Sequence, residues 1–445
     1  MVKLIIDPIT RISGFLGVEV EIEKNKIVEA KVEGNLFRGF EKILKGRYAL
    51  DAVYLTERIC GICSSAHALA ATLALENALN LVPTENVIYI RDLLHSFDII
   101  QNHIRHFYLF TVPDYVEFDF SSPLYETCHK DYRIPDKLSR KIQEDYLKSI
   151  EFSKLAHVGV ALLGGKAPHN HGILPGIVSV SLDRLKIEEI KSIINKIKDF
   201  VDNCMLEDVN IISMYYGDYF EKGKTYNNFL SFGLFDYEDF YYVKPSVIIN
   251  GVKSDFDVNK IHENINYSWY EVHDGQVVEN IKKKGAYSFV KSPRYDKMPV
   301  EVGPLARMIL SGKYNLKSST MDRIIARCQE ASNILRIMSI IVERIEPFKK
   351  EVKYDFKVSS GLGMVDTTRG ALLHYVKLDY DKIDGYDIIT PSAWNFSPRD
   401  DFLGTVEKAL VDTFIDDIND VVEVGRIVRS FDPCISCATH VTLRR

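Results

Sequence analysis

The chain carries two Cys-x-x-Cys pairs near its opposite ends, Cys60-Gly-Ile-Cys63 and Cys434-Ile-Ser-Cys437. Each is followed by a histidine, His67 and His440. Thiolates are soft ligands that select zinc, iron, copper or nickel. Four of them suggest one metal site, and that site exists only if the fold brings the head of the chain against its tail. The remaining cysteines of the seven, Cys128, Cys204 and Cys328, are isolated and read as small core residues. An odd count in a chain of 445 residues argues against a disulfide framework.

The rest of the composition excludes several classes. A net charge of −6 gives no electrostatic case for nucleic-acid binding. No apolar run reaches the roughly 18 residues of a transmembrane helix. The start, Met1-Val-Lys-Leu-Ile-Ile-Asp7, is too short and too soon charged for a signal peptide. A cytoplasmic location is expected, with export as the cargo of a signal-bearing partner left open.

Periodicity predicts an α+β chain that is mainly α. Residues 3–34 read as strands, with Leu16–Glu23 alternating apolar and acidic and a turn at Asn25. A short helix is expected over 38–50. Cys60 and Cys63 are expected to open an Ala/Leu-rich, buried helix. Further helices are predicted over 84–112, 135–157, 183–203 and Ser318–Pro347, and a final one over 404–429 leads into the last cysteines. The last-but-one is capped by Ser-Ser-Thr-Met-Asp. Gly164–Gly176 is an irregular loop, 225–300 a β-rich excursion, and 353–390 strands and turns. The expected architecture is a central bundle of long helices with β-rich flanks. It forms one domain: a β-rich segment 1–57, a helical core from 58–224 and 301–445, and the excursion 225–300.

Cysteines three apart at a helix start point the same way, and the helix end favours the thiolate. His67, one turn beyond Cys63, can ligate or donate a hydrogen bond to a sulfur. A structural zinc site normally closes loops of about 15–20 residues between its pairs, whereas residues 64–433 separate these. A thioredoxin-like role lacks its βαβ context. Chemistry alone leaves a redox or catalytic metal, a structural zinc and coincidence all open.

A set of motifs spans the chain in order. It comprises Asp7-Pro-Ile-Thr-Arg11-Ile-Ser-Gly, Arg38-Gly-Phe-Glu41, Arg58-Ile-Cys60-Gly-Ile-Cys63 with His67, and Gly164-Gly-Lys-Ala-Pro-His169. Then come Ser292-Pro-Arg-Tyr295, Glu301-Val-Gly-Pro-Leu-Ala-Arg307 and Thr368-Arg369-Gly370. Pro391-Ser392-Ala-Trp394-Asn395, Ser397-Pro-Arg-Asp400 and Asp432-Pro-Cys434-Ile-Ser-Cys437 with His440 close it. Any one is weak; together the sequence resembles the large, catalytic subunit of [NiFe] hydrogenases over essentially its whole length.

The resemblance implies reversible cleavage of H2 to protons and electrons. Cys60 and Cys434 would be terminal nickel ligands, and Cys63 and Cys437 would bridge nickel to an iron carrying one carbon monoxide and two cyanides, Fe(CO)(CN)2, installed by maturation proteins. Four sulfurs would leave nickel an open position. Arg369 matches an arginine above the open metal face, with Thr368 before it. Ser392 matches a cyanide-bonding residue, and His67 a group near a bridging sulfur. Glu41, His440 and the carbonyl of Ile388 match a magnesium site. His169 matches a residue facing a cluster of a small subunit. That small subunit, with its Fe-S clusters, is implied as partner because no cysteines remain here for an electron relay. His103, His106 and His171 read equally well as core or interface histidines.

Four positions depart from the family pattern. Ser13 stands where a glutamate serves as proton acceptor, and a serine cannot hold a proton at neutral pH as a carboxylate can. Phe15 replaces a histidine of the same motif, Asn102 an aspartate, and Thr368 a proline. Asp432 retains the other carboxylate. Proton transfer is expected to be slowed or re-routed, with the Cys434 thiolate as first base. Only Val441–Arg445 follow His440, where family precursors carry an extension removed after that histidine; either the chain is made without one or this tail is what processing leaves. Extension-free members include hydrogen sensors, so a slow sensor with the same centre is the second reading.

Overall fold

The head and tail of the chain share one core. In a computed structural model, residues 1–118, 129–273, 276–347 and 352–438 are described. Val2–Ile6, Leu16–Glu23 and Lys26–Gly34 form an antiparallel sheet in that order. Its hairpin turns at Lys24 and Asn25, both with positive φ. Leu16, Val18, Val20 and Ile22 point inward with the period of a half-buried strand and pack on Phe396, Leu410, Ile427 and Ile435 of the C-terminal segment.

That segment differs from the single helix expected over 404–429. It forms Thr405–Leu410 and Val422–Ser430, with irregular chain between. The reason is tertiary. The Asp412 N–H donates to the Ile27 carbonyl (2.9 Å), and the Ile27 N–H to the Thr413 carbonyl (2.9 Å). Pairing with the hairpin satisfies backbone groups that a continuous helix would have used itself.

The long helices are Ser64–Leu79, Glu85–Arg105, Asp136–Gly164, Arg184–Phe200 and Thr320–Val342. Glu85–Arg105 packs on both Asp136–Gly164 and Thr320–Val342, and Arg184–Phe200 lies against those two. Ser319 caps Thr320–Val342 as its sequence predicts, its hydroxyl accepting from the Asp322 N–H at 3.1 Å. Residues 225–300 fold into short strands in small separate sheets. No helix among the described residues is long and apolar enough to cross a membrane.

Ser64–Leu79 is buried nearly all round, yet its chief neighbour is a strand, Ser359–Thr367. Gly361 and Gly363 make this possible. A Cβ on either would collide with the helix backbone, at Ala74 and Ala78 for Gly361 and at Ala70 and Ala74 for Gly363. Ser359–Thr367, Gly370–Asp379 and Lys382–Ile389 form an antiparallel sheet, and the tight turn between the first two presents Thr368 and Arg369.

Candidate metal centre

Two backbone devices bring the cysteine pairs together. Ser13 pairs with Cys434 across the ends of the chain: its N–H donates to the Pro433 carbonyl (3.2 Å) and its carbonyl accepts from the Ile435 N–H (2.8 Å). Arg38 then ties one cysteine turn to the other. Its guanidinium donates to the carbonyls of Ile59 and Arg58 beside Cys60, and to that of Ser436 at 3.4 Å. The Arg38-Gly-Phe-Glu41 motif was visible in the sequence, but this clamping role was not.

The local geometry corrects one expectation. Cys60 does not open a helix. It is extended (φ −150°, ψ 131°), and Cys63 is the residue before the first helical one, Ser64. The intervening glycine and isoleucine make an irregular turn, so the two sulfurs converge through loop geometry rather than through helical spacing. Cys434 likewise precedes the short helix Ile435–Ala438, which holds Cys437.

The outcome is a compact sulfur cluster. All four sulfurs lie within 4.8 Å of one another and are buried. Cys60 and Cys434 are 3.2 Å apart, Cys63 and Cys437 3.4 Å, and Cys434 and Cys437 2.9 Å. Hydrogen bonds from Cys434, Cys437 and Cys63 pull the Cys60 thiol well below its ordinary value. Cys63 is pushed well above, chiefly by its hydrogen bond to Cys434, and Cys437 chiefly by burial. Ionising one sulfur thus opposes ionising its neighbours. Four buried thiolates this close need a shared cation, so the residues fit a soft-metal centre.

Arg369 and Asp432 stand beside the cluster. Arg369 donates through Nε to the Asp432 carbonyl (3.0 Å) and through Nη2 to its carboxylate (2.9 Å). Arg327 pairs with the other carboxylate oxygen at 3.1 Å. Burial alone would raise Asp432, but Arg369, His106, Arg327 and Arg105 hold it well below the usual carboxylate range. Arg369 Nη1, buried, has no hydrogen-bond partner among the described residues. A small cavity opens at the sulfurs, lined also by Ala66, His67, Thr367, Arg369, Leu372 and Ser392.

The other predicted residues fall as follows. The Ser392 hydroxyl accepts from the Cys434 N–H at 3.0 Å and so keeps its own proton for another partner. Ser13 Oγ lies 3.6 Å from Cys434 Sγ. His67 is buried, and burial lowers it to about 4. Its Nδ1 meets His374 at 3.1 Å, which in turn meets Tyr386 at 2.8 Å. Thr368 Oγ1 donates to the Ile99 carbonyl at 3.4 Å. Asn102 uses its whole amide structurally, donating to the carbonyls of Ile62 (2.7 Å) and Asp98 (2.8 Å) and accepting from Arg105. Glu41 is buried on a helix packed against the strand that carries Ile388. His440 and Cys128 lie outside the described residues.

Several histidines and cysteines are core groups. His103 sits between Glu330 (2.9 Å) and Arg327 (3.1 Å), and His106 bonds the Arg429 carbonyl (2.7 Å). Cys328 is fully buried in Thr320–Val342, and Cys204 is half-buried. His169 is half-buried with a positive φ and receives its place from the Ser64 hydroxyl, to which its N–H donates at 3.0 Å. His171 is exposed, edge-on to Tyr54.

The comparison with known proteins settles the family. A family model described as nickel-dependent hydrogenase matches residues 38–123 and 119–440. This chain belongs to the nickel-dependent hydrogenase family. The periplasmic [NiFeSe] hydrogenase large subunit of Desulfomicrobium baculatum is 33% identical, covering 99% of this chain and 95% of that protein. The hydrogenase-2 large chain of Escherichia coli strain K12 is 29% identical over 99% and 97%. The reduced Ni-Fe-Se hydrogenase of D. vulgaris Hildenborough superimposes with a TM-score of 0.93 at 34% identity, covering 99% and 100% of the two chains. The chain is therefore the large, catalytic subunit of a nickel-dependent hydrogenase, an oxidoreductase acting on H2.

Proposed function

We propose that this hydrogenase subunit cleaves H2 heterolytically and reversibly at a nickel–iron centre, and passes the electrons to a small subunit carrying Fe-S clusters. The observation that carries this reading is the cluster of four buried sulfurs drawn from opposite ends of one chain. Cys60 and Cys434 would be terminal nickel ligands, with Cys63 and Cys437 shared with an iron bearing one carbon monoxide and two cyanides. Such a centre, when bound, supplies an electron-accepting Lewis acid for H2.

The chain's own residues orient and neutralise. Arg369, held along one edge by Asp432, brings a fixed cation with one unpaired nitrogen to the cavity. A pre-placed charge in a dry site stabilises developing negative charge without reorganisation. Ser392 offers its remaining hydroxyl proton to a cyanide, and His67 steadies the sulfur side through His374. Thr368 fixes the turn that carries Arg369. The Cys434 sulfur is the first base, and the Ser13 hydroxyl beside it orients without storing the proton. Asn102 acts by position, tying the Cys60–Cys63 turn to the helix Glu85–Arg105.

Glu41, the Ile388 carbonyl and His440 would hold magnesium, an oxygen-seeking ion suited to a buried carboxylate. Maturation proteins would deliver the iron ligands. The chain acts as one domain, since its first and last segments build the same site. Infrared spectra and metal analysis of the purified two-subunit complex test the reading. Bands of metal-bound carbon monoxide and cyanide are expected, with about one nickel per large subunit and iron in excess of nickel because the partner's clusters add to it; zinc alone without such bands would overturn it.

A further inference from the structure

A proton leaving this centre needs a group that can change charge near neutral pH. Few neighbours qualify. Asp432 is locked as an anion between Arg369 and Arg327. His67 is kept neutral by burial. Ser13 is an alcohol and Asn102 an amide with every hydrogen-bonding group engaged. Neither can hold a proton.

Among the buried carboxyl groups nearby, Asp98 is the one tied by a hydrogen bond to the segment that follows Cys63. Asp98 lies four residues before Asn102, so both project from the same face of the helix Glu85–Arg105. It is buried. Its carboxyl is hydrogen-bonded to Ser65, two residues past Cys63, and Ser65 is itself held by the Asn170 amide at 3.3 Å. Arg105, Cys60 and Arg369 act on it electrostatically. The Asn102 bridge to Ile62 fixes this helix face against the Cys60–Cys63 turn.

The electrostatics agree with that geometry. Burial raises Asp98 and Cys60 adds to it, while Arg105 and Arg369 oppose, leaving it at about 7. Glu57 faces the same region, fully buried, raised to about 8 by burial with a contribution from Asp98, and near Arg58 and Lys166. Lys166 is exposed, so this side of the site leads outward.

We propose that Asp98, fixed by Ser65, is the proton-holding residue of this hydrogenase, taking up the proton of H2 cleavage and releasing it toward Glu57 and solvent. The proposal rests on the nickel–iron reading above. Each H2 yields two electrons, which leave through the small subunit, and two protons. The protons leave in turn: each converts the Asp98 carboxylate to the acid, and the acid returns it toward water before the next arrives. Asp98 is not among the residues that line the sulfur cavity; it stores the proton after the first base has taken it.

The test uses the complete two-subunit enzyme carrying Asp98→Asn, Asp98→Glu or no substitution. Asp98→Asn should lose roughly a hundredfold in H/D exchange at pH 7, the low end of what an acid–base group contributes. Its nickel content and its carbon monoxide and cyanide bands should stay as in the parent. The exchange rate of the parent should rise through about pH 7, where Asp98 becomes the acceptor, and Asp98→Asn should flatten that rise. Asp98→Glu should recover most of the rate. Independently, isotope-edited infrared of aspartate-labelled enzyme should show a buried carboxylic acid titrating near pH 7, with a band that shifts in Ser65→Ala.

Parental exchange and an unchanged pH profile in Asp98→Asn would sink the proposal. So would the absence of any aspartate titrating near pH 7, even if Asp98→Asn failed to fold. A parent enzyme with no nickel and no carbon monoxide or cyanide bands would instead remove the nickel–iron reading.

Discussion

Ser13 and Cys434 are neighbours twice over: their backbones pair, and Ser13 Oγ stands 3.6 Å from Cys434 Sγ. A side chain at position 13 is therefore placed to exchange a proton with that sulfur, and only its chemistry prevents it from keeping one. Ser13→Glu is expected to raise H/D exchange and H2 oxidation severalfold, because a carboxylate adds an acceptor at this spot. In the Asp98→Asn background the gain should be larger still. No gain in either background would remove the proton-relay account of position 13.

The sulfur cluster predicts metal content directly. Changing any one of Cys60, Cys63, Cys434 or Cys437 to Ala should reduce bound nickel to about a tenth or less, since each sulfur is part of one closed donor set. Cys328→Ala is the control. That thiol is equally buried but remote in function, and nickel should stay at the parental level. Elemental analysis of the purified variants decides between a four-sulfur site and any smaller one.

Arg369 reaches Asp432 through two nitrogens while a third remains unpaired. Lysine keeps the charge but cannot reproduce a planar fork. Arg369→Lys should lower H2 oxidation about a hundredfold, the scale of one lost preorganised donor, with nickel retained. Full activity in Arg369→Lys would show that charge alone suffices.

Glu57 links the site to stability. Its folded pKa is raised to about 8, above the roughly 4.3 of an unfolded glutamate. Between those values the folded state binds more protons than the unfolded one, so this residue makes stability fall as pH rises from about 4.3 to 8. Glu57→Gln should remove that decline, so that from pH 5 to pH 8 the variant gains about 3.5 kcal/mol of stability relative to the parent. Denaturant titrations of both proteins at the two pH values measure it, and an unchanged difference would show that Glu57 does not hold a proton in the fold.

Gly363 sets how closely its strand packs on the helix of the same site. A Cβ there meets the backbone of Ala70 and Ala74, on the helix that begins directly after Cys63. Gly363→Ala should destabilise the chain by about 3 kcal/mol, the upper range for overpacking, and lower nickel loading with it. Thermal unfolding and metal analysis of the same preparation should move together; stability lost with full loading would separate the strand from the centre.

Much of this protein is readable from its residues. The Leu16–Glu23 alternation, the Ser319 cap and the long helices rest on local periodicity and local hydrogen bonds, which neighbouring residues alone specify. The tail is two helices rather than one because residues 412–415 find backbone partners in the hairpin around Ile27, hundreds of positions away. The Cys60 geometry is not legible in the sequence because a spacing of three suits a helix and a turn alike. Arg38 lay in a recognisable motif, but its hold on both cysteine turns needs coordinates. His374, Asp98 and Glu57 carried no local signal at all.

The sequence by itself determined the ligand chemistry: four thiolates in two pairs, an arginine and an aspartate in recognisable surroundings, and no carboxylate at position 13 or 102. Only the tertiary structure decided that these sulfurs meet and which ionisable groups surround them. Ligand identity is a property of each side chain, whereas proximity, desolvation and proton affinity are properties of what the fold packs beside it.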